Sequence, residues 1–231
     1  MKTEIFATDD SAACAAAGAI ATEARAAVAA RGRFVMAVSG GRTPWIMMRA
    51  LADEDLPWDK VDIVQVDERV APAGDKDRNL THLQETLLDH TPIRPEQIHA
   101  MPVESTDLES AAKDYAATLE RIAGSPPILD LVHLGLGPDG HTASLVPGDP
   151  VLDVTSADVS LTGNYQGRRR MTLTYPVINR ARRVLWLVTG AEKSTMLSRL
   201  EQGDSSIPAG RVERRHGWII ADQAAAGALT I

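Results

Sequence analysis

The sequence predicts an α/β fold, a doubly wound and mainly parallel sheet covered by helices on both faces. Three observations carry that expectation. Short apolar runs (Phe34–Val38, Val61–Val66, Ile128–Leu134 and Val184–Val188) show almost no polar face, as strands buried on both sides require. Segments with helical punctuation separate these runs, and strands alternating with helices build parallel sheets. No internal repeat or low-complexity linker interrupts residues 1–231, so a single domain is expected over that whole length.

Each element has its own signal. Asp9, Asp10 and Ser11 offer caps for a helix through about Arg31, stopped by Gly32. Phe34–Val38 runs into Ser39-Gly40-Gly41-Arg42-Thr43-Pro44, after which Trp45–Leu51 reads as helix with Pro44 at its first position. Val61–Val66 ends at Asp67-Glu68-Arg69. Asn79 is the expected cap of a helix to about Asp89, and Thr106 with Glu109 makes a capping-box pattern for a helix reaching about Ile122. The apolar run Ile128–Leu134 breaks at Gly135, Gly137, Pro138 and Gly140, which end a strand and permit tight turns. Residues 150–168 read as a loop with a short strand near Val159, long and polar enough to form a lid. Arg170–Tyr175 and Val184–Val188 follow as strands and Gly190–Leu200 as a helix. Trp218–Ile220 is a last strand before an Ala-rich helix.

Composition narrows the function classes. A formal net charge of −7 argues against nucleic-acid binding by bulk electrostatics, although a small anionic ligand stays compatible with it. The single cysteine, Cys14, excludes an internal disulfide and a multi-cysteine zinc site. The acidic N-terminus has no signal-peptide pattern, and no uninterrupted apolar run approaches 18 residues, so a cytoplasmic protein without membrane contact is expected. His82, His90, His99, His133 and His216 show no metal-ligand spacing. A serine-hydrolase elbow is absent.

Two loops could carry chemistry. Ser39–Pro44 joins a strand to a helix with two glycines, which let backbone approach a ligand, and the helix start offers free N–H groups: an anion cradle, most simply for phosphate. It matches neither of the usual nucleotide-binding glycine patterns. At the carboxyl end of the Ile128–Leu134 strand, where open α/β sheets bind ligands, Asp139 and His141 stand two residues apart, a general base with an orienting acid. Asp67-Glu68-Arg69 lies at another strand end. Arg170 and Lys193 taken alone read as surface charges, Arg170 within the run Arg168-Arg169-Arg170.

In order, the chain carries Ser39-Gly40-Gly41-x-Thr43-Pro44, Asp67-Glu68-Arg69, Gly135-x-Gly137-x-Asp139-Gly140-His141-x-Ala143-Ser144-Leu145-x-Pro147-Gly148, Arg170-x-Thr172 and Gly190-x-x-Lys193. This set resembles the 6-phosphogluconolactonase family, within the wider group that includes glucosamine-6-phosphate isomerases. The resemblance runs from Phe34 to the closing Trp218–Ala226 segment, with Val146 where lactonases often have phenylalanine. It implies a Rossmann-like α/β/α sandwich, the sugar-phosphate isomerase fold. It also implies hydrolysis of 6-phospho-D-glucono-1,5-lactone to 6-phosphogluconate in the oxidative pentose phosphate pathway, without metal or organic cofactor.

On that reading His141 activates water, oriented by Asp139 or Asp67, and Arg69 faces the oxyanion. Ser39, Gly40, Gly41 and Thr43 would hold the 6-phosphate with Arg170 and Lys193. The rival readings are a glucosamine-6-phosphate isomerase or deaminase and a non-catalytic sugar-phosphate sensor. The isomerase type carries a glutamate five residues after its histidine, where this chain has Val146, and tends to have tyrosine in place of Arg69. The sensor would need an output module, and the sequence carries no helix-turn-helix extension or basic flank.

Overall fold

Phe34–Val38 and Val184–Val188 bury every side chain, and Leu131–Leu134 does the same. Strands without a polar face need cover on both sides, and the computed structural model, which describes residues 1–229, provides it. In chain order the elements are β1 (Lys2–Phe6), α1 (Asp9–Arg31), β2 (Phe34–Val38), α2 (Arg42–Ala52), β3 (Val61–Gln65), β4 (Asp67–Arg69), α3 (Asn79–Thr86), β5 (Ile98–His99), α4 (Leu108–Ala123), β6 (Leu131–Leu134), β7 (Val159–Leu161), β8 (Arg170–Leu173), α5 (Tyr175–Arg180), β9 (Val184–Val188), α6 (Ser194–Gln202) and β10 (Gly217–Asp222). The main sheet is seven-stranded, in the order β1-β10-β9-β6-β2-β3-β5, and every pairing in it is parallel.

Alternate side chains of β2 divide between two cores: Phe34, Met36 and Val38 face α1 and α2, while Val35 and Ala37 face the layer of α4 and α6. Helix α1 is long and apolar enough, by length and composition, to cross a membrane, although Gly18, Thr22, Glu23 and Arg25 interrupt its apolar run. Half of its most apolar stretch is buried, with Ala16, Ile20 and Ala24 packed in the core.

A second sheet, β4-β8-β7, is antiparallel and opposes Asp67 to Thr172 and Arg69 to Arg170. It grows directly out of the first. The Val66 N–H donates to Val38 O, and Val66 O accepts from the Leu173 N–H, so the chain passes from one sheet to the other at a single residue.

Several element boundaries differ from the sequence expectation. Strand β1 was not predicted; at the sheet edge it is only partly buried and shows no continuous apolar run. Thr8, rather than Asp9, Asp10 or Ser11, caps α1 in a reciprocal box with Ser11. Gly41 precedes α2, which starts at Arg42, so Pro44 is its third residue. Asp107 caps α4 through the Ser110 N–H in place of the Thr106–Glu109 box. Tyr175 starts the short α5 instead of extending a strand. The predicted closing helix is a short 3-10 segment, Ala225–Ala228.

Candidate active site

The Ser39–Thr43 loop leaves β2 and enters α2. Ser39 ties it to the neighbouring strand: its N–H donates to His133 Nδ1 at 3.3 Å and its hydroxyl to His133 O at 2.9 Å. Gly40 is required by space, since a Cβ there would lie 2.1 Å from Asn79 Oδ1 and 2.8 Å from the Trp45 ring. Gly41 has φ of 137°, a conformation that favours glycine, and it supplies no side-chain cap. The first N–H groups of α2 are therefore left for a ligand, at the positive end of the helix dipole. The Thr43 hydroxyl shares a 2.6 Å hydrogen bond with Thr189 at the end of β9. Lys193 follows on a turn whose Gly190 N–H donates to both Asp222 carboxylate oxygens. Burial lowers the Lys193 pKa, opposed by the charges of Glu192 and Asp139.

Across the cleft, β4 and β8 contribute a buried polar layer. Asp67 is 5% exposed and accepts from the Ser144 hydroxyl at 2.6 Å and from Asn79 Nδ2 at 3.3 Å. Arg69 donates to Asn79 Oδ1 at 2.8 Å and to Asp77 O at 2.7 Å. Arg170 is also 5% exposed, 4.0 Å from Asp67, with donors on Ser144 and Gln166. The Arg168–Arg170 run is thus split by its strand. Arg168 and Arg169 pair with the surface acids Asp75, Asp77 and Glu109, while Arg170 turns inward, contrary to its reading as a surface charge. Nε of Arg69 and Nε of Arg170 are buried donors without a protein acceptor among the described residues.

The Gly135–Gly148 segment leaves β6 and folds back on itself. The Gly137 N–H donates to His141 O, the Gly140 N–H to Gly137 O, and the Thr142 hydroxyl to Gly135 O. Asp139 Oδ1 accepts from the His141 N–H at 3.1 Å and lies 2.5 Å from His141 Nδ1. Burial raises the Asp139 pKa, but the charge of His141 and hydrogen bonds from His141 and Tyr165 outweigh it and hold the carboxyl below its ordinary value. An ionised carboxylate only accepts, so Nδ1 carries a proton, and in the neutral ring Nε2 is left to accept. Sequence reasoning left Asp139 and Asp67 open as partners of His141. The contact is with Asp139, and Asp67 serves Ser144, Asn79 and Arg170 instead.

Every sequence-predicted site residue except Asp139 lines one cavity of about 310 Å³, and Asp139 stands behind His141. Thr189 and Asn79 also line it and were not singled out. From the sequence Asn79 reads as a helix cap. Its backbone N–H is in fact held by the buried Glu68 carboxylate, which frees its side chain to bridge Asp67 and Arg69. Among the described residues no group of three or more His, Cys, Asp or Glu side chains is placed to hold a metal ion. An imidazole, the cationic side chains of Arg69, Arg170 and Lys193, and open helix N–H groups around one cleft suit an anionic substrate with an electrophilic carbon.

The sequence profile described as "Glucosamine-6-phosphate isomerases/6-phosphogluconolactonase" matches residues 7–221. A 6-phosphogluconolactonase of Synechocystis is 40% identical over 185 residues, covering 78% of this chain and 77% of the relative. One from Mycobacterium tuberculosis is 36% identical over 238 residues, covering 96% of each. The solved 6-phosphogluconolactonase of Trypanosoma brucei superposes with a TM-score of 0.88 at 26% identity, covering 99% of this chain and 98% of that one. The chain belongs to the glucosamine-6-phosphate isomerase/6-phosphogluconolactonase family.

Proposed function

We propose that this member of the family hydrolyses 6-phospho-D-glucono-1,5-lactone to 6-phosphogluconate, with His141 as the general base. The observation that carries this reading is the facing pair of devices in one cavity: an anion cradle at the start of α2, and an imidazole whose Nδ1 is committed to Asp139. The names of the curated relatives support the same reaction.

In this mechanism Nε2 of His141 takes a proton from water as the oxygen attacks the lactone carbonyl. Asp139 fixes the ring and stabilises the imidazolium. Arg69 meets the developing oxyanion and then the product carboxylate. When the ring C–O bond breaks, the imidazolium returns its proton to the departing oxygen, which becomes the C5 hydroxyl. The 6-phosphate rests on Ser39, Gly40, Gly41 and Thr43, with charge from Lys193 and Arg170, and so holds the carbonyl against His141. An isomerase would need a carboxylate five residues beyond the histidine; Val146 there is apolar and 4% exposed.

The test is loss of 6-phosphogluconolactone, generated in situ from glucose 6-phosphate, measured against its spontaneous opening for wild type and His141→Ala. Fast loss that vanishes in the variant is expected. Full turnover in His141→Ala removes the base from His141, and ammonia release from glucosamine 6-phosphate in a parallel cell gives the site to the deaminase reaction.

A further inference from the structure

We propose that Tyr165 is a positioning residue with two separable functions: its hydroxyl fixes the catalytic carboxylate, and its ring holds an anion-binding arginine. The proposal rests on the lactonase reading above. Tyr165 lies in the hairpin that joins β7 to β8, within residues 150–168, which the sequence reads as a loop with a short strand near Val159. Tyr165 and Arg168 exchange backbone hydrogen bonds, and Gln166 and Gly167 between them have φ of 53° and 82°, the double positive φ of a two-residue hairpin turn. The hairpin is thus a defined element that brings its tip to the cleft.

The Tyr165 hydroxyl donates to Asp139 Oδ2 at 3.0 Å and lies 3.4 Å from His141 Nδ1. Its ring meets the imidazole edge-on, with centroids 5.5 Å apart. Oδ1 of Asp139 already serves the ring and backbone of His141, so Tyr165 secures the other oxygen and stops the carboxylate from rotating. Burial and this hydrogen bond to Asp139 raise the tyrosine pKa, which keeps the phenol a donor. The ring also carries the Arg170 guanidinium 4.9 Å from its centroid, and neighbouring Gln166 accepts from the same arginine at 3.2 Å. One hairpin therefore grips both the acid–base pair and the buried cation.

The two functions separate in two variants. Tyr165→Phe keeps the ring and should lower kcat about three- to tenfold, with KM and the Kd for 6-phosphogluconate within about twofold. Tyr165→Leu should show that kcat loss and, in addition, weaken 6-phosphogluconate binding about three- to tenfold by calorimetry. Wild-type kcat in Tyr165→Phe, or equal product affinity in the two variants, overturns the proposal. A wild type that does not open the lactone defeats the lactonase reading alone. The hydroxyl's role is then judged from the 15N shifts of the His141 imidazole, which move in Tyr165→Phe if the contact with Asp139 matters and stay fixed if it does not.

Discussion

The two ends of the cavity are built by opposite means. The proposed anion cradle is made of consecutive backbone, Ser39 to Thr43, at the carboxyl end of a parallel strand, with Thr189 and Lys193 following the next strand but one, β9. The proposed catalytic end is made of side chains gathered from afar. Ser144 meets Asp67 across 77 residues of sequence and Tyr165 meets Asp139 across 26, and much of this end rests on the antiparallel sheet. A cradle of backbone N–H groups tolerates changes in side chains so long as its glycines remain, whereas a side-chain constellation fails when one member moves. Damage to the catalytic end should therefore appear in kcat and damage to the cradle in KM.

Gly137→Ala should break this contrast most sharply. A Cβ at Gly137 would fall 2.0 Å from His141 Nδ1 and 2.7 Å from Asp139 Oδ1, so the imidazole and carboxylate must part. Because an oriented acid–base group contributes about 10²–10⁴-fold, kcat should fall at least about a hundredfold. KM should stay within about threefold, because the cradle stands on other strands. Steady-state kinetics, with a circular-dichroism spectrum to establish folding, is the check. A variant with near-wild-type kcat would show that His141 works without its aspartate.

Beneath the cradle lies a second histidine with a different dependence. His133 is fully buried on β6 and accepts from the Ser39 N–H, and burial pushes its pKa down to about 3. Its ordinary value in the unfolded chain is about 6.5. The unfolded state therefore takes up the proton first as pH falls, and stability drops from about pH 6.5 down to about pH 3, where the folded protein is protonated as well. For this group the loss between pH 7 and pH 5 amounts to about 2 kcal/mol. Urea unfolding of wild type and His133→Gln at both pH values should show that excess pH dependence in the wild type alone. Equal dependence in both proteins would mean that the ring is not held neutral by its burial.

The same contrast explains what could be read from the sequence. The strands Phe34–Val38 and Val184–Val188 declare themselves because burial on both faces leaves an uninterrupted apolar record. The cradle and the Asp139–His141 pair are legible because their parts are sequence neighbours. Asn79 and Tyr165 are not, since each acquires its role only when the chain passes into the antiparallel sheet at Val66. Strand β1 escapes for the reason it sits at an edge: only one neighbour and partial burial, hence no periodic apolar signal. Arg170 looked like part of a solvated charge run, although strand alternation places it opposite in environment to Arg169.

Arg170 and Lys193, which the sequence assigned together to the phosphate, separate once the two ends are compared. Arg170 reaches into both, because it stands 4.0 Å from buried Asp67, lies over Tyr165 and lines the cavity. Removing it leaves a buried carboxylate short of its countercharge, so Arg170→Ala should lower kcat and stability as well as raise KM. Lys193 has no such tie to the catalytic side chains: it lines the cavity from the Gly190 turn, half-buried, with Glu192 the stronger and Asp139 the weaker charge influence on it. Lys193→Ala should therefore give the smallest and cleanest effect, a rise in KM of about tenfold with kcat within about twofold, as loss of one ammonium–phosphate contact implies. An equal fall in kcat would place the ammonium on the transition state instead of the remote phosphate, and the division of the cavity into a backbone cradle and a side-chain catalytic end would have to be redrawn through Lys193.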